Sequence, residues 1–205
     1  MKRRYVLGAL IGLFGCGGRE KERADAKGAP PAVDTSAEKE IAYSIELEQG
    51  GELLHVGDDW QFHSGDRFRL LFRPEFDAYV YVVNRGPAQS AYQMLFPNPR
   101  IALQNPIPAG KEVRVPDSDT AWLHMDNQPG NENLILIAAT TPLTELDGMG
   151  PNVDRDDFEA RLANVERKRR PSSSRRFEDK NWVKLFAARG KEDLAIVLRL
   201  PLLHM

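Results

Sequence analysis

From residue 41 onward, apolar and polar residues alternate along the chain, which is the pattern of strands that bury one face. The segment IAYSIELE, at 41–48, places its four large apolar residues on the same side. Gly50 and Gly51 favour a turn directly after it. We therefore expect the segment ELLHV, at 52–56, to fold back and form a hairpin with the first strand.

Further short strands are predicted as far as residue 140. The segment DAYVYVVN, at 77–84, is apolar on both faces, so we expect a central strand that is covered on two sides. Other strands are predicted at 66–73, 94–96, 111–115, 120–126 and 134–140. Eight or nine short strands separated by turn residues favour a mainly β fold, and we predict an antiparallel, immunoglobulin-like β-sandwich.

One segment near the C-terminus has helical spacing instead. Phe158, Leu162 and Val165 recur at positions that share a helix face, Asp154 can cap the start, and Pro171 ends the segment. After this amphipathic helix, the apolar segments 182–189 and 194–203 flank a polar turn, and we predict that they form a C-terminal hairpin. The first of the two also fits a helix face, and this alternative stays open.

The first fifteen residues differ in composition from the rest of the chain. The basic residues Lys2, Arg3 and Arg4 precede ten apolar and glycine residues. This run is too short to span a bilayer core of about 30 Å as a helix. A basic start and a short apolar core are typical of a secretory signal peptide, which we predict at 1–15. The paired arginines also resemble a twin-arginine export signal, so the export route stays open.

The apolar run ends at the single cysteine of the chain, Cys16. Residues 13–16, Leu-Phe-Gly-Cys, resemble the bacterial lipobox. The resemblance implies that the Cys16 thiol is alkylated with diacylglycerol and becomes the first residue of a mature protein anchored to a membrane. Gly17 resembles the residue found after the cysteine in some outer-membrane lipoproteins. Residues 16–40 are rich in Gly, Ala, Pro and charge, so we expect a flexible tether before one domain at 41–205.

Several turn and core residues between 58 and 143 form a second recognisable pattern. They are Gly65-Asp66, Tyr79-Val80-Tyr81, Leu95-Phe96-Pro97-Asn98 and Pro129-Gly130. This pattern resembles a bacterial domain of unknown function that occurs alone in envelope proteins and fused to Ser/Thr kinases or caspase-like peptidases. That family has no assigned catalytic residues, so the resemblance implies a fold and an accessory role but no active site.

Charge narrows the range of partners. The chain has 28 Lys and Arg residues against 30 Asp and Glu, a formal net charge of −2, which does not favour nucleic-acid binding. One segment, RKRRPSSSRR at 167–176, is strongly basic although the chain as a whole is slightly acidic. Its six cations form a candidate contact patch for anionic envelope material, although a basic helix end and a solvated loop have the same composition. These candidates are Arg167, Lys168, Arg169, Arg170, Arg175 and Arg176.

Candidate catalytic and metal-binding residues are sparse. His63 and Ser64 are neighbours, and neighbouring side chains on a strand or turn point apart, so we do not expect them to act as a nucleophile and base. Asp117, Asp119 and Asp126 could gather around calcium with Glu132, but their spacing does not follow a calcium-binding loop. We therefore predict no catalytic residue, no metal ligand and no cofactor.

The function predicted from the sequence is that of a lipid-anchored envelope protein. We expect it to act as a non-catalytic binding or accessory module for an unidentified envelope protein. Two alternatives stay open. One is a hydrolase that acts on cell-envelope material, and the other is a sensor module of a signalling system.

Overall fold

The computed structural model describes residues 38–98, 104–179, 182–188 and 193–205. The predicted signal peptide, Cys16 and all but the last residues of the predicted tether lie outside the described residues. The described residues contain thirteen strands and one helix. The first strand begins at Lys39, two residues before the start predicted from the alternation.

The strands are β1 (Lys39–Gln49), β2 (Glu52–Val56), β3 (Gln61–Phe62), β4 (Arg67–Pro74), β5 (Tyr79–Arg85), β6 (Ala91–Phe96), β7 (Val113–Val115), β8 (Leu123–His124), β9 (Gly130–Ala139), β10 (Asn152–Asp154), β11 (Ser173–Asp179), β12 (Trp182–Ala188) and β13 (Ala195–His204). The helix is α1 (Arg155–Arg169). No helix within the described residues is long and apolar enough to cross a bilayer.

The strands form two sheets. The first sheet has the order β11-β12-β1-β4-β7, with β2 also paired to β1 and β8 to β4. The second has the order β10-β6-β5-β9-β13-β3. Neighbouring strands are antiparallel except β13 and β3, which are parallel. This confirms the predicted fold class, a mainly β chain with a sandwich-like arrangement of sheets.

The larger core lies between the two sheets. On β1, the alternate residues from Ile41 to Leu47 are fully buried in it, as the sequence pattern predicts. The ring of Phe72 on β4 packs against that of Phe96 on β6, with centroids 6.1 Å apart. Burying this apolar surface supplies the main driving force for bringing the sheets together.

A second core lies on the other face of the second sheet, against α1. Tyr81 and Val83 of β5 point into it, whereas Val80 and Val82 point into the core between the sheets. Both faces of β5 are therefore covered, which confirms the prediction for 77–84. The helix contributes its three apolar positions, Phe158, Leu162 and Val165, all of them fully buried.

The C-terminal segments pair differently from the prediction. β12 joins β11 and β1 in the first sheet, whereas β13 joins β9 and β3 in the second. The predicted hairpin between 182–189 and 194–203 is therefore wrong, and the hairpin of this region consists of β11 and β12. Every residue of β11 is exposed, so the sequence SSRRFED shows no apolar alternation that could reveal a strand.

Candidate functional site

Polar side chains from four separate parts of the chain meet at the C-terminal end of β13. Ser64 Oγ lies 3.0 Å from His204 Nε2. One carboxylate oxygen each of Asp126 and Glu132 and one ring nitrogen of His204 all lie within 4.8 Å of one another. We call Ser64, Asp126, Glu132 and His204 the polar cluster.

Strand pairing brings the members of the polar cluster together. In the β9–β13 ladder, Glu132 lies opposite Leu202, so Glu132 and His204 share a face of the sheet as diagonal neighbours. Ser64 follows β3, which pairs with the last residues of β13. The backbone N–H of Gly65 donates to the carbonyl oxygen of Met125 at 2.9 Å, which holds the turn at Ser64 beside the segment that carries Asp126.

The polar cluster combines buried and exposed groups. His204 is 2% exposed and Glu132 is 6% exposed, whereas Asp126 is exposed. Glu132 Oε2 accepts a hydrogen bond from Asn84 Nδ2 at 3.1 Å. Burial raises the pKa of the Glu132 carboxyl above its usual range, although the Asn84 hydrogen bond opposes the shift and the nearby Asp126 charge adds to it.

The Ser64–His204 contact has the geometry of a nucleophile and its base, but the third group of a catalytic triad is missing among the described residues. In a triad, a carboxylate accepts a hydrogen bond from the other ring nitrogen and orients the imidazole. His204 Nδ1 is buried and has no hydrogen-bond partner. An imidazole beside two carboxylates is also a set of donors that can bind a divalent cation.

The sequence predictions for these residues are met in part. His63 and Ser64 do not pair, as predicted, and the His63 ring lies near Asp66 at 3.9 Å. Ser64 instead contacts a histidine 140 residues away. Of the acidic residues considered for calcium, Asp126 and Glu132 do come together, with His204. Only the register of β9 and β13, which no local motif reveals, could have indicated this.

A groove of about 610 Å³ lies at the opposite end of β13. Arg167, at the end of α1, and Arg170, directly after it, line one side of the groove. Its floor comes from Leu185 of β12 and from Ile196 and Val197 of β13. We call it the cationic groove, because it combines two guanidinium groups with apolar surface.

The six cations of the predicted patch divide into two groups. Four of them are bound to neighbouring side chains. Lys168 contacts Glu145 at 3.0 Å, Arg169 contacts Thr141 at 2.6 Å, Arg175 contacts Glu38 at 2.6 Å and Arg176 contacts Asp58 at 2.7 Å. Within the described part of the chain, Arg167 donates a hydrogen bond only to the neutral side chain of Asn164. Arg170 has no hydrogen bond or ion pair with a side chain of the described residues. The two cations without an acidic partner are the two that line the cationic groove.

A comparison with protein families identifies part of the chain. Residues 61–142 match the model of the DUF4384 family, a domain of unknown function. This confirms the expectation of a domain of unknown function in this region. Neither the curated proteins nor the solved structures gave a significant match.

The DUF4384 segment supplies most of the polar cluster and no residue of the cationic groove. It extends from β3 to just beyond β9 and contains three members of the polar cluster, Ser64, Asp126 and Glu132. His204 comes from β13, after the end of the DUF4384 match. The residues that line the cationic groove also lie outside it.

Proposed function

We propose that this protein is a membrane-anchored envelope lipoprotein whose β-sandwich binds a protein partner in the cationic groove. The partner segment is extended and acidic. The observation that carries the proposal is the meeting, in one groove, of two arginines without acidic partners, an apolar floor and an open strand edge.

The open edge belongs to β13. On one side, β13 is paired with β9 along its whole length. On the other side, β3 pairs only with Leu203 and His204, and no other described strand pairs there. Ile196 and Val197, which line the groove, therefore belong to the unpaired part of the edge, where Ile196 is 1% exposed and Val197 is half-buried. An unpaired strand edge can accept an extended peptide as an additional strand, with backbone hydrogen bonds supplying affinity.

Charge selects an acidic partner. The guanidinium groups of Arg167 and Arg170 stand beside the open edge. The one carboxylate in the lining, Glu166, already contacts Arg199 at 3.6 Å, which reduces its repulsion of an incoming anion. An Asp or Glu side chain of the partner's strand can form a bidentate, charge-assisted pair of hydrogen bonds with either arginine.

The location of the protein is proposed from its first residues. The lipobox-like residues before Cys16 support cleavage of the signal peptide and lipidation of the cysteine thiol. Two or three fatty chains are enough for stable anchoring, whereas one chain gives only marginal binding. The tether predicted before β1 would leave the groove free to meet a partner on the envelope face of the membrane.

Photocross-linking in intact envelopes tests the partner. A photoreactive amino acid at Val197, in the groove, is expected to cross-link to an acidic, extended segment that mass spectrometry can map. Arg167→Glu with Arg170→Glu should reduce this product at least tenfold, because the charges would then repel. Arg114→Glu, at the one exposed position of β7, is the matched control and should leave the product unchanged.

Two results would contradict the proposed partner. Cross-linking to lipid rather than protein would assign the groove to anionic head groups. A protein product that is insensitive to the reversal of both arginine charges would show that the groove does not select an acidic segment.

Metabolic labelling tests the anchor independently. Cells that express the wild-type chain should incorporate an alkyne fatty acid into it, and Cys16→Ala should abolish the label and release the protein from the membrane fraction. Equal labelling of the two chains would refute lipidation at Cys16.

A hydrolase is the second candidate function, favoured by the 3.0 Å contact between Ser64 Oγ and His204 Nε2. The structure supports it less well, because no carboxylate among the described residues binds His204 Nδ1. A fluorophosphonate probe would label an activated serine. Labelling that Ser64→Ala removes would establish the hydrolase, and no labelling would reject it.

A further inference from the structure

We infer that Asp126, Glu132 and His204 form a binding site for a divalent transition-metal ion, for which zinc is the best fit. Their donor atoms lie within 4.8 Å of one another. Zinc holds nitrogen and oxygen ligands at about 2.0–2.2 Å, which places neighbouring donors about 3.4 Å apart in a tetrahedral site. Small rotations of the side chains would bring the three donor atoms from within 4.8 Å of one another to this closer spacing.

The buried imidazole of His204 supplies the independent indication of a ligand. The side chain is 2% exposed, yet its Nδ1 atom has no hydrogen-bond partner. A buried polar atom without a partner destabilises the fold, because it has lost its hydrogen bonds to water. When Nε2 donates its proton to Ser64 Oγ, Nδ1 carries a free lone pair, which is the form of imidazole that binds a metal.

Ser64 then has a positioning role in the metal site. Histidines that bind metals donate their other ring N–H to a hydrogen-bond acceptor, which fixes the tautomer and the orientation of the ring. The hydroxyl of Ser64, 3.0 Å from Nε2, is such an acceptor.

The buried carboxylate of Glu132 is the second ligand. A carboxylate that is 6% exposed needs a compensating charge or several hydrogen bonds. Asn84 donates one hydrogen bond, to Oε2. The other oxygen, Oε1, remains available, and a cation bound there would compensate the buried charge.

The exposed carboxylate of Asp126 is the third ligand and the adjustable one. Its Oδ1 accepts a hydrogen bond from the backbone N–H of Gln128 at 2.7 Å, which leaves Oδ2 available. Because Asp126 is exposed, it can rotate toward a metal at little cost. Three protein ligands and a solvent-facing side leave room for a fourth ligand, such as water.

The donor set selects the kind of metal. Imidazole nitrogen suits zinc, copper, iron and nickel, whereas calcium and magnesium prefer sites made of oxygen atoms only. One imidazole with two carboxylates therefore favours zinc over magnesium.

Titration calorimetry of the full chain in detergent micelles tests the site, with zinc chloride as the probe. We expect one zinc ion bound per chain and no binding of magnesium at the same concentrations. Asp126→Asn and Glu132→Gln keep the shape of each side chain but remove its charge, and each should weaken zinc binding at least tenfold. Asp117→Asn, at an exposed acid outside the polar cluster, is the control and should bind zinc as the wild type does.

Nuclear magnetic resonance of the histidine rings gives a second readout. Zinc should shift the ring signals of His204 and leave those of the exposed His63 unchanged. Failure to bind zinc, or stoichiometric binding that survives both Asp126→Asn and Glu132→Gln, would overturn the site. If Glu132→Gln does not fold, Asp126→Asn decides alone, because its side chain is exposed. Neither substitution touches the cationic groove, so the result is independent of the proposed partner.

Discussion

Glu46 and Arg69 form a charge pair that is almost completely removed from water. Their side chains are 4% and 5% exposed, and Glu46 Oε2 lies 3.5 Å from the nearest guanidinium nitrogen of Arg69. Arg69 also donates hydrogen bonds to the carbonyl oxygens of Asp119 and Ala121, and its guanidinium lies 3.7 Å from the ring centre of Trp122. One arginine thus holds β4 to the connection between β7 and β8.

Removing this arginine should be costly. Arg69→Met would leave the Glu46 carboxylate buried without a cation, and breaking a buried pair in this way costs about 3–5 kcal/mol. The control is Arg67→Met on the same strand, because Arg67 is paired with Glu48 but is 42% exposed. An exposed pair contributes about 0.2–1 kcal/mol. Urea unfolding of both variants measures the difference, and equal losses would contradict the assigned role of burial.

Among the elements, Asp58 connects three segments that are distant in sequence. Its Oδ1 accepts hydrogen bonds from Tyr43 of β1 at 2.8 Å and from Arg176 of β11 at 2.7 Å. Burial by itself would raise the pKa of Asp58, but the hydrogen bonds from Arg176 and Tyr43 outweigh it, and the pKa is lowered. The ionised form of Asp58 therefore stabilises the fold.

The contribution of Asp58 should depend on pH. Because its pKa is lower in the folded state, the stabilisation is complete above the unfolded value of about 3.9 and is lost as the pH falls through the folded pKa. Asp58→Asn should therefore be less stable than the wild type by about 1 kcal/mol at pH 7. We expect a loss of only this size because the contact is partly exposed and solvent screens its charges. Urea unfolding between pH 7 and pH 2.5 should show this difference shrinking below pH 4.

Asp59→Asn provides the control for this experiment, since it changes the net charge equally at an exposed neighbouring residue. A difference between the wild type and Asp58→Asn that stays constant down to pH 2.5 would show that ionisation of Asp58 does not stabilise the fold.

The start of α1 depends on one cap. Asp154 Oδ1 accepts hydrogen bonds from the backbone N–H groups of Asp156 and Asp157 at 2.9 and 3.1 Å. Asp154→Ala should cost about 1 kcal/mol of stability, whereas Asp154→Asn keeps a capping oxygen and should cost much less. Thermal unfolding followed by circular dichroism measures both. Similar losses in the two variants would show that the negative charge, rather than the hydrogen bonds, supports the helix.

The elements that local signals define are those that the sequence predicts. Gly50 and Gly51 give the β1–β2 hairpin, and Asp154 and Pro171 bracket α1 at 155–169. Pairings between distant strands are different, because β12 and β13 are both apolar and either sheet could accept either strand. The same limit hid the polar cluster, since Ser64 and His204 meet only through the pairing of β3 with β13.

Over the whole molecule, β5 and β9 link three layers, namely the first sheet, the second sheet and α1. On β9, Leu136 points into the core between the sheets, whereas its neighbour Ile137 points into the core under α1. Because both cores pack against β9, a substitution on either face of this strand should change the stability of both cores. We expect the layers to unfold together, as in small cooperative domains.

Ile137→Val tests this coupling. Ile137 is fully buried on the helix side, so the loss of one methylene should cost about 1 kcal/mol. Trp122 and Trp182 lie on the first sheet or beside it, whereas the exposed Trp60 directly precedes β3 of the second sheet. All chains in this experiment therefore carry Trp60→Phe, so that tryptophan fluorescence reports the first sheet, while circular dichroism at 222 nm is sensitive to α1. In urea, both signals should shift to the same lower midpoint, although the substitution lies on the far side of the second sheet from the tryptophans. Leu53→Ala, at an exposed position of β2, should shift neither signal appreciably. If the helical signal alone moved to lower urea, the core under α1 would be a separate unit, and β9 would not transmit stability between the layers.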